Sequence, residues 1–191
     1  MIRNGSRLAT LAGVLVGLAL TSTMVVRTTQ AVFAGYSSTP TNSWNTGGAA
    51  ISNDATAAAV FSLANDGTLT GGQVVEKCIV VTYVGATVPA NVKLYATATG
   101  ALNGYLNLVV DIGTGGSGGN CTGFSATTAG IYSGTVSGFA AAATNFSTGV
   151  GVWAPASVNA TRTYRFAVTV QNTPAAQNAT SSAVFTWEAQ A

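Results

Sequence analysis

The chain contains no histidine, and charge is scarce: 7 basic and 5 acidic residues in 191, or 6%. Without histidine there is no imidazole general base, no serine or cysteine triad that depends on one, and no histidine zinc site, HExxH included. The five carboxylates, Asp54, Asp66, Glu76, Asp111 and Glu188, are scattered, and no two share an acid/base spacing. A Ser–Lys dyad would need Lys77 or Lys93, yet both fall mid-strand with no serine at a sharp elbow beside them. No Asp-x-Asp-x-Asp-Gly run marks a calcium loop, and Asp66, beside Gly67, reads as a turn residue. The run Gly113–Gly119 (GTGGSGG) lacks the Lys-Ser/Thr of a phosphate-binding loop, and no helix follows it. It has no side chains to pack, which predicts a mobile loop. No basic stripe exists to displace counterions from nucleic acid. The expectation is a protein that is not an enzyme, with no catalytic residue, no metal and no cofactor.

What is present begins with a contrast. Arg3 and Arg7 precede an uncharged run, Leu8 to Val26, whose apolar core LATLAGVLVGLAL ends at Leu20. A positive start, an apolar centre and small residues near Ala31 or Ala34 describe a secretory signal peptide over 1–31, cut after Ala31 or after Ala34. The competing reading is an uncleaved anchor, since about 20 apolar residues cross a bilayer; Thr21, Ser22 and Thr23 interrupt the run. No other stretch is apolar enough to span, so the expected product is secreted, free or attached at the surface. Arg3, Arg7 and Arg27 leave with the signal. Lys77, Lys93, Arg162 and Arg165 then face the five carboxylates, one acid more than base. A surface so poor in charge is weakly protected against association.

Period-two alternation dominates the rest. In Val74–Val84 both faces are largely apolar, which predicts a central strand. Asn91–Ala98 sets Val92, Leu94 and Ala96 opposite Lys93 and Tyr95. Gly104–Ile112 sets Leu106, Leu108, Val110 and Ile112 inside, with Tyr105, Asn107 and Asp111 outside. Thr161–Val170 sets Tyr164, Phe166, Val168 and Val170 on one face, and Ser182–Glu188 sets Ala183, Phe185 and Trp187 on one face. Weaker runs are 57–63, 129–136 and 146–153, and the one helix candidate is Gly138–Thr144. Turn signals such as Asn65-Asp66-Gly67 and Gly71-Gly72 separate the runs. Seven or eight strands without a long helix predict an all-β antiparallel sandwich over 49–191. The only two cysteines, Cys78 and Cys121, read as one disulfide in an exported domain. It would contribute about 3–4 kcal/mol by restricting the unfolded chain.

The segment 32–48 stands apart. VFAGYSSTPTNSWNTGG scatters Phe33, Tyr36 and Trp44 among small polar residues. It has too little apolar surface to fold alone, so its aromatics need a groove on their own domain or on another copy. Trp44, Trp153 and Trp187, with six tyrosines, also admit a glycan-stacking platform, although Trp187 alternates with Phe185 on what reads as a core face.

These pieces together resemble the TasA/camelysin family of exported bacterial proteins, most of all its high-GC branch. The resemblance rests on Ala31-Val32-Phe33 after the signal, on Trp44–Gly48, on the turn Gly72–Val75 leading into the strand up to Gly85, and on Thr161–Val170 followed by Val184–Gln190. It implies a jelly-roll sandwich and a secreted subunit of extracellular biofilm-matrix fibres. An N-terminal donor strand from 32–48 would complete the sheet of the next copy, with Phe33, Tyr36 and Trp44 as subunit contacts. Its partners would be its own copies, head to tail, and matrix polysaccharide; no nucleic acid and, after signal cleavage, no membrane. Two alternatives stand beside this: a secreted glycan-binding module, and a camelysin-like peptidase, whose metal label this histidine-free chain does not meet.

Overall fold

The computed structural model describes residues 34–38, 49–55, 60–62, 66–86 and 90–191, with the backbone alone for 34–38. The chain divides into two units, Met1–Val32 and Phe33–Ala191. The expected signal peptide, 1–31, lies outside the described residues, as do Phe33 and Trp44. None of the described helices is long and apolar enough to cross a membrane.

Nine strands form among the described residues: β1 (Ala34–Ser38), β2 (Ile51–Asn53), β3 (Val74–Tyr83), β4 (Asn91–Thr99), β5 (Leu106–Thr114), β6 (Ser125–Thr135), β7 (Val150–Trp153), β8 (Thr161–Val170) and β9 (Ser182–Gln190). They make two antiparallel sheets, ordered β1-β9-β4-β7 and β2-β3-β8-β5-β6. With the three-residue β2 set aside, each sheet has four strands, and from β3 onward every connection but the β5–β6 hairpin changes sheet. That order is a jelly roll, with β1 as its first strand.

Alternation fixes which side chains lie between the sheets. One sheet supplies Ile79, Val81, Tyr83, Leu108, Val110, Tyr164 and Phe166; the other supplies Val92, Leu94, Phe185 and Trp187, all in one buried cluster. Aromatic rings join the layers. Phe166 meets Phe185 at 4.7 Å between centroids, Tyr164 meets Trp187 edge-on at 5.5 Å, and Phe166 meets Trp187 at 6.0 Å. Such pairs add about 0.5–1.5 kcal/mol beyond the apolar area they bury. The strand Val74–Tyr83 is interior, between β2 and β8, as its two apolar faces imply.

Some expectations are corrected. The helix is α1, Val136–Ala142, and starts two residues earlier than Gly138. Thr135 accepts a hydrogen bond from the Gly138 amide at 3.1 Å and caps it there, while Phe139 is fully buried and packs edge-on against Tyr132. Asp111 was placed outside by alternation, yet it is 2% exposed. The β5–β6 ladder shifts register between Val110 and Ile112, and β6 folds over the carboxylate. The short β2 was not expected at all; the run 57–63, which was, does not appear as a strand among the described residues.

Candidate functional site

Two segments made mostly of small residues are held in very different ways. The first is β1. It lies at the open edge of its sheet and pairs with β9 from Ala34↔Gln190 to Ser38↔Thr186. On its other side β9 pairs with β4 along its whole length, from Asn91↔Gln190 to Thr99↔Ser182. Because β1 reaches only to Thr186, Ser182–Phe185 carry a ladder on the β4 side alone among the described residues. The opening strand thus rests on its own domain. Of the two places admitted for 32–48, its own domain or another copy, the described strand 34–38 takes the first in the single chain. Tyr36 takes the register position opposite Glu188, which lies opposite Lys93 on β4. Glu188 is 4% exposed and accepts a hydrogen bond from Gln190 Nε2 at 2.6 Å.

The second segment is the glycine run after β5. The expectation of a loop with nothing to hold it is corrected here. Cys121 forms a disulfide with Cys78 across a sequence separation of 43. The Gly119 amide donates to the Cys78 carbonyl at 2.9 Å, and Ser117 bridges to Asn120. Asp54 reaches in from beyond β2: one carboxylate oxygen accepts the Val80 amide at 2.7 Å and the other accepts the Gly118 amide at 2.6 Å. The glycines serve close approach. Gly115 has φ +76°, and a Cβ there would collide with the Gly123 carbonyl; Gly116 has φ +70°, and its Cβ would stand 3.0 Å from that of Cys78.

The ionisable residues are occupied by structural partners. Arg165 Nε donates to Asp111 Oδ2 at 2.9 Å, and Asp111 Oδ1 accepts the Gly130 amide at 2.6 Å. The same guanidinium lies 3.5 Å from Glu76 and 5.3 Å from the centre of the Phe124 ring. Lys77 pairs with Asp66 at 2.7 Å, and the Lys93 ammonium sits 4.9 Å from the centre of the Phe146 ring. Neither lysine partners a serine in any ion pair or hydrogen bond described. Among the described residues, no three of Asp, Glu and Cys gather as a metal cluster. Of the three tryptophans, Trp187 is fully buried and Trp153 is 6% exposed, with Arg162 5.7 Å from its ring centre. Trp187 thus lies in the core, as its alternation with Phe185 implies, and Trp153 is buried as well. Burial raises the Tyr164 phenol far above its ordinary range, against a smaller lowering by Arg162.

No protein-family model and no curated protein matches this chain. The disulfide partners are the one expected pair that the fold joins directly. The Asp54 clamp was missed. Its only sequence trace is an isolated aspartate after a polar turn, which could as well have been solvated.

Proposed function

We propose that the chain is a secreted, non-enzymatic structural subunit that assembles head to tail into extracellular fibres of a biofilm matrix or cell surface. Assembly would proceed by exchange of β1 between copies. The observation that carries the reading is the position of β1: first strand of the jelly roll, at a sheet edge, paired on one side only among the described residues. Residues 39–48 separate it in sequence from the rest of the fold. The same ladder on β9 forms whether the donor is the chain's own strand or a neighbour's, so exchange costs little in contacts. A head-to-tail exchange leaves a free donor strand at one end and a free acceptor edge at the other and does not close, which propagates a filament. Scarcity of surface charge favours the same outcome.

Negative-stain microscopy of the secreted protein, paired with N-terminal sequencing, tests this. Filaments are expected from the whole secreted chain, and folded monomers from a variant lacking 32–48. Filaments that persist in the deletion variant refute strand exchange. A disulfide placed between β1 and β9 of one chain should likewise block growth, and release it on reduction.

A further inference from the structure

In the order β1-β9-β4-β7, β9 becomes an edge whenever β1 leaves it. A free edge invites pairing with any other free edge, and proteins guard such strands with charge, proline, bulges or brevity. β9 has little of this protection. It runs nine residues without a proline, and it holds β4 in unbroken register from Asn91↔Gln190 to Thr99↔Ser182. Its single charged residue is Glu188. β1 covers five residues of the edge, Thr186 to Gln190, and Glu188 is the middle one, opposite Tyr36. An antiparallel ladder has local two-fold symmetry about each opposed pair. The backbone groups that accept β1 would therefore also accept the β9 of a second copy, with Glu188 opposite Glu188. Such a contact is isologous: it closes into a dimer, consumes both acceptor edges and ends growth.

The carboxylate stands against that outcome. Directly opposed residues of an antiparallel pair share a face, with Cβ atoms about 4.5–5.5 Å apart, and like charges so placed destabilise the pair. Glu188 is 4% exposed, and none of the ion pairs among the described residues includes it. Lys93 lies opposite it on β4, but the ammonium sits against the Phe146 ring. The longer register, with Ser182 opposite Gln190, sets Glu188 opposite Val184 instead. There a carboxylate would be desolvated against an apolar side chain. The donor strand AGYSS brings no charged residue and meets no like charge. We infer that Glu188 sets partner choice at this edge: it bars β9 from pairing with β9 and leaves the edge to a donor strand. The inference rests on strand exchange as proposed above and adds what keeps exchange from ending in closed dimers.

The test uses the whole secreted chain carrying Tyr36→Pro and Ser37→Pro. Adjacent prolines remove a ladder hydrogen bond whichever alternate residues of β1 face β9, so the β9 edge stands open; circular dichroism checks the fold. Sedimentation equilibrium then compares three forms of this open-edge chain. Glu188→Gln keeps the shape and removes the charge, and it should dimerise about fivefold to tenfold more tightly than the form with Glu188. Glu188→Asp keeps the charge and should match the form with Glu188. Hydrogen exchange should place the new protection of the Gln dimer at residues 186–190. Equal dimerisation of the Glu and Gln forms, an Asp form that behaves like Gln, or dimers without protection at 186–190 each overturns the inference. If the open-edge chain does not fold, the chain with its native β1 serves. There Glu188→Gln should raise the share of dimers and shorten filaments, and an unchanged share of dimers overturns the inference. Absence of filaments from the unmodified chain defeats strand exchange instead, and it leaves the open-edge comparison to be read on its own.

Discussion

The opening strand and the glycine loop are alike in composition and opposite in how they are held. Both are made mostly of small residues: β1 reads AGYSS and the loop reads GTGGSGG. The loop is fastened by a disulfide, by the Asp54 carboxylate and by glycines that let backbone touch backbone. The strand is fastened by an edge ladder of five residues. A covalent clamp has one partner, whereas a backbone ladder accepts any chain of the right register. The difference teaches where this molecule is locked by covalent and side-chain contacts and where it is held by backbone pairing at an edge.

The largest effect should come from the layer beneath the edge that β1 and β9 form. Trp187 stands on β9, fully buried against Tyr164 and Phe166. Trp187→Ala removes that packing and should cost about 3–5 kcal/mol, seen in chemical denaturation as a lower midpoint with unchanged slope. If the cost is under about 1 kcal/mol, the β9 shelf is not the common support of both sheets, and the comparison fails at its base.

Next comes the clamp itself. Cys78→Ser with Cys121→Ser should cost about 3–4 kcal/mol. Hydrogen exchange should quicken at Gly118 and Gly119, while the β1 amides exchange as before. Equal quickening in β1 would mean that the two segments are not independently held.

These two sites also show how far the sequence could be read. Alternation in Thr161–Val170 and Ser182–Glu188 places Tyr164, Phe166, Phe185 and Trp187 in the core, because period two and a single buried face leave no other register. The disulfide was legible because two cysteines admit one pairing. Asp111 was not legible. A bulge in β5–β6 and a guanidinium 54 residues away decide its burial, and neither leaves a local signature. The glycine loop misled for a related reason. Composition reports what a segment cannot pack by itself, and it is silent on what reaches in from elsewhere, as Asp54 does across 64 residues to Gly118. The opening strand was legible only as a segment apart: period two says nothing of AGYSS, and its pairing with β9 is made by backbone groups that leave no mark in the sequence.

A smaller effect isolates the non-covalent half of the clamp. Asp54→Ala leaves the Val80 and Gly118 amides without their acceptor. Water reaches the exposed Gly118 more easily than the half-buried site at Val80. The expected cost is about 1–3 kcal/mol, with the disulfide intact by mass spectrometry. A null result would assign the loop's order to the disulfide alone.

The gentlest test uses pH and leaves every residue in place. Tyr164 is neutral in the fold, and burial raises its phenol well above the ordinary value of about 10. In the unfolded chain the same group loses its proton near that ordinary value. Above it the unfolded state binds fewer protons than the folded state, so stability falls as pH rises, and below it the group contributes no pH dependence. Tyr83 and Tyr132 are raised by burial too and add in the same direction. Thermal unfolding followed from pH 8 to pH 11 should therefore show a midpoint that is flat and then declines past about pH 10. The phenolate absorbance of Tyr164 should appear only together with unfolding. If that absorbance rises while the fold persists, the ring is not sealed between the sheets, and the layer beneath β9 is open to solvent.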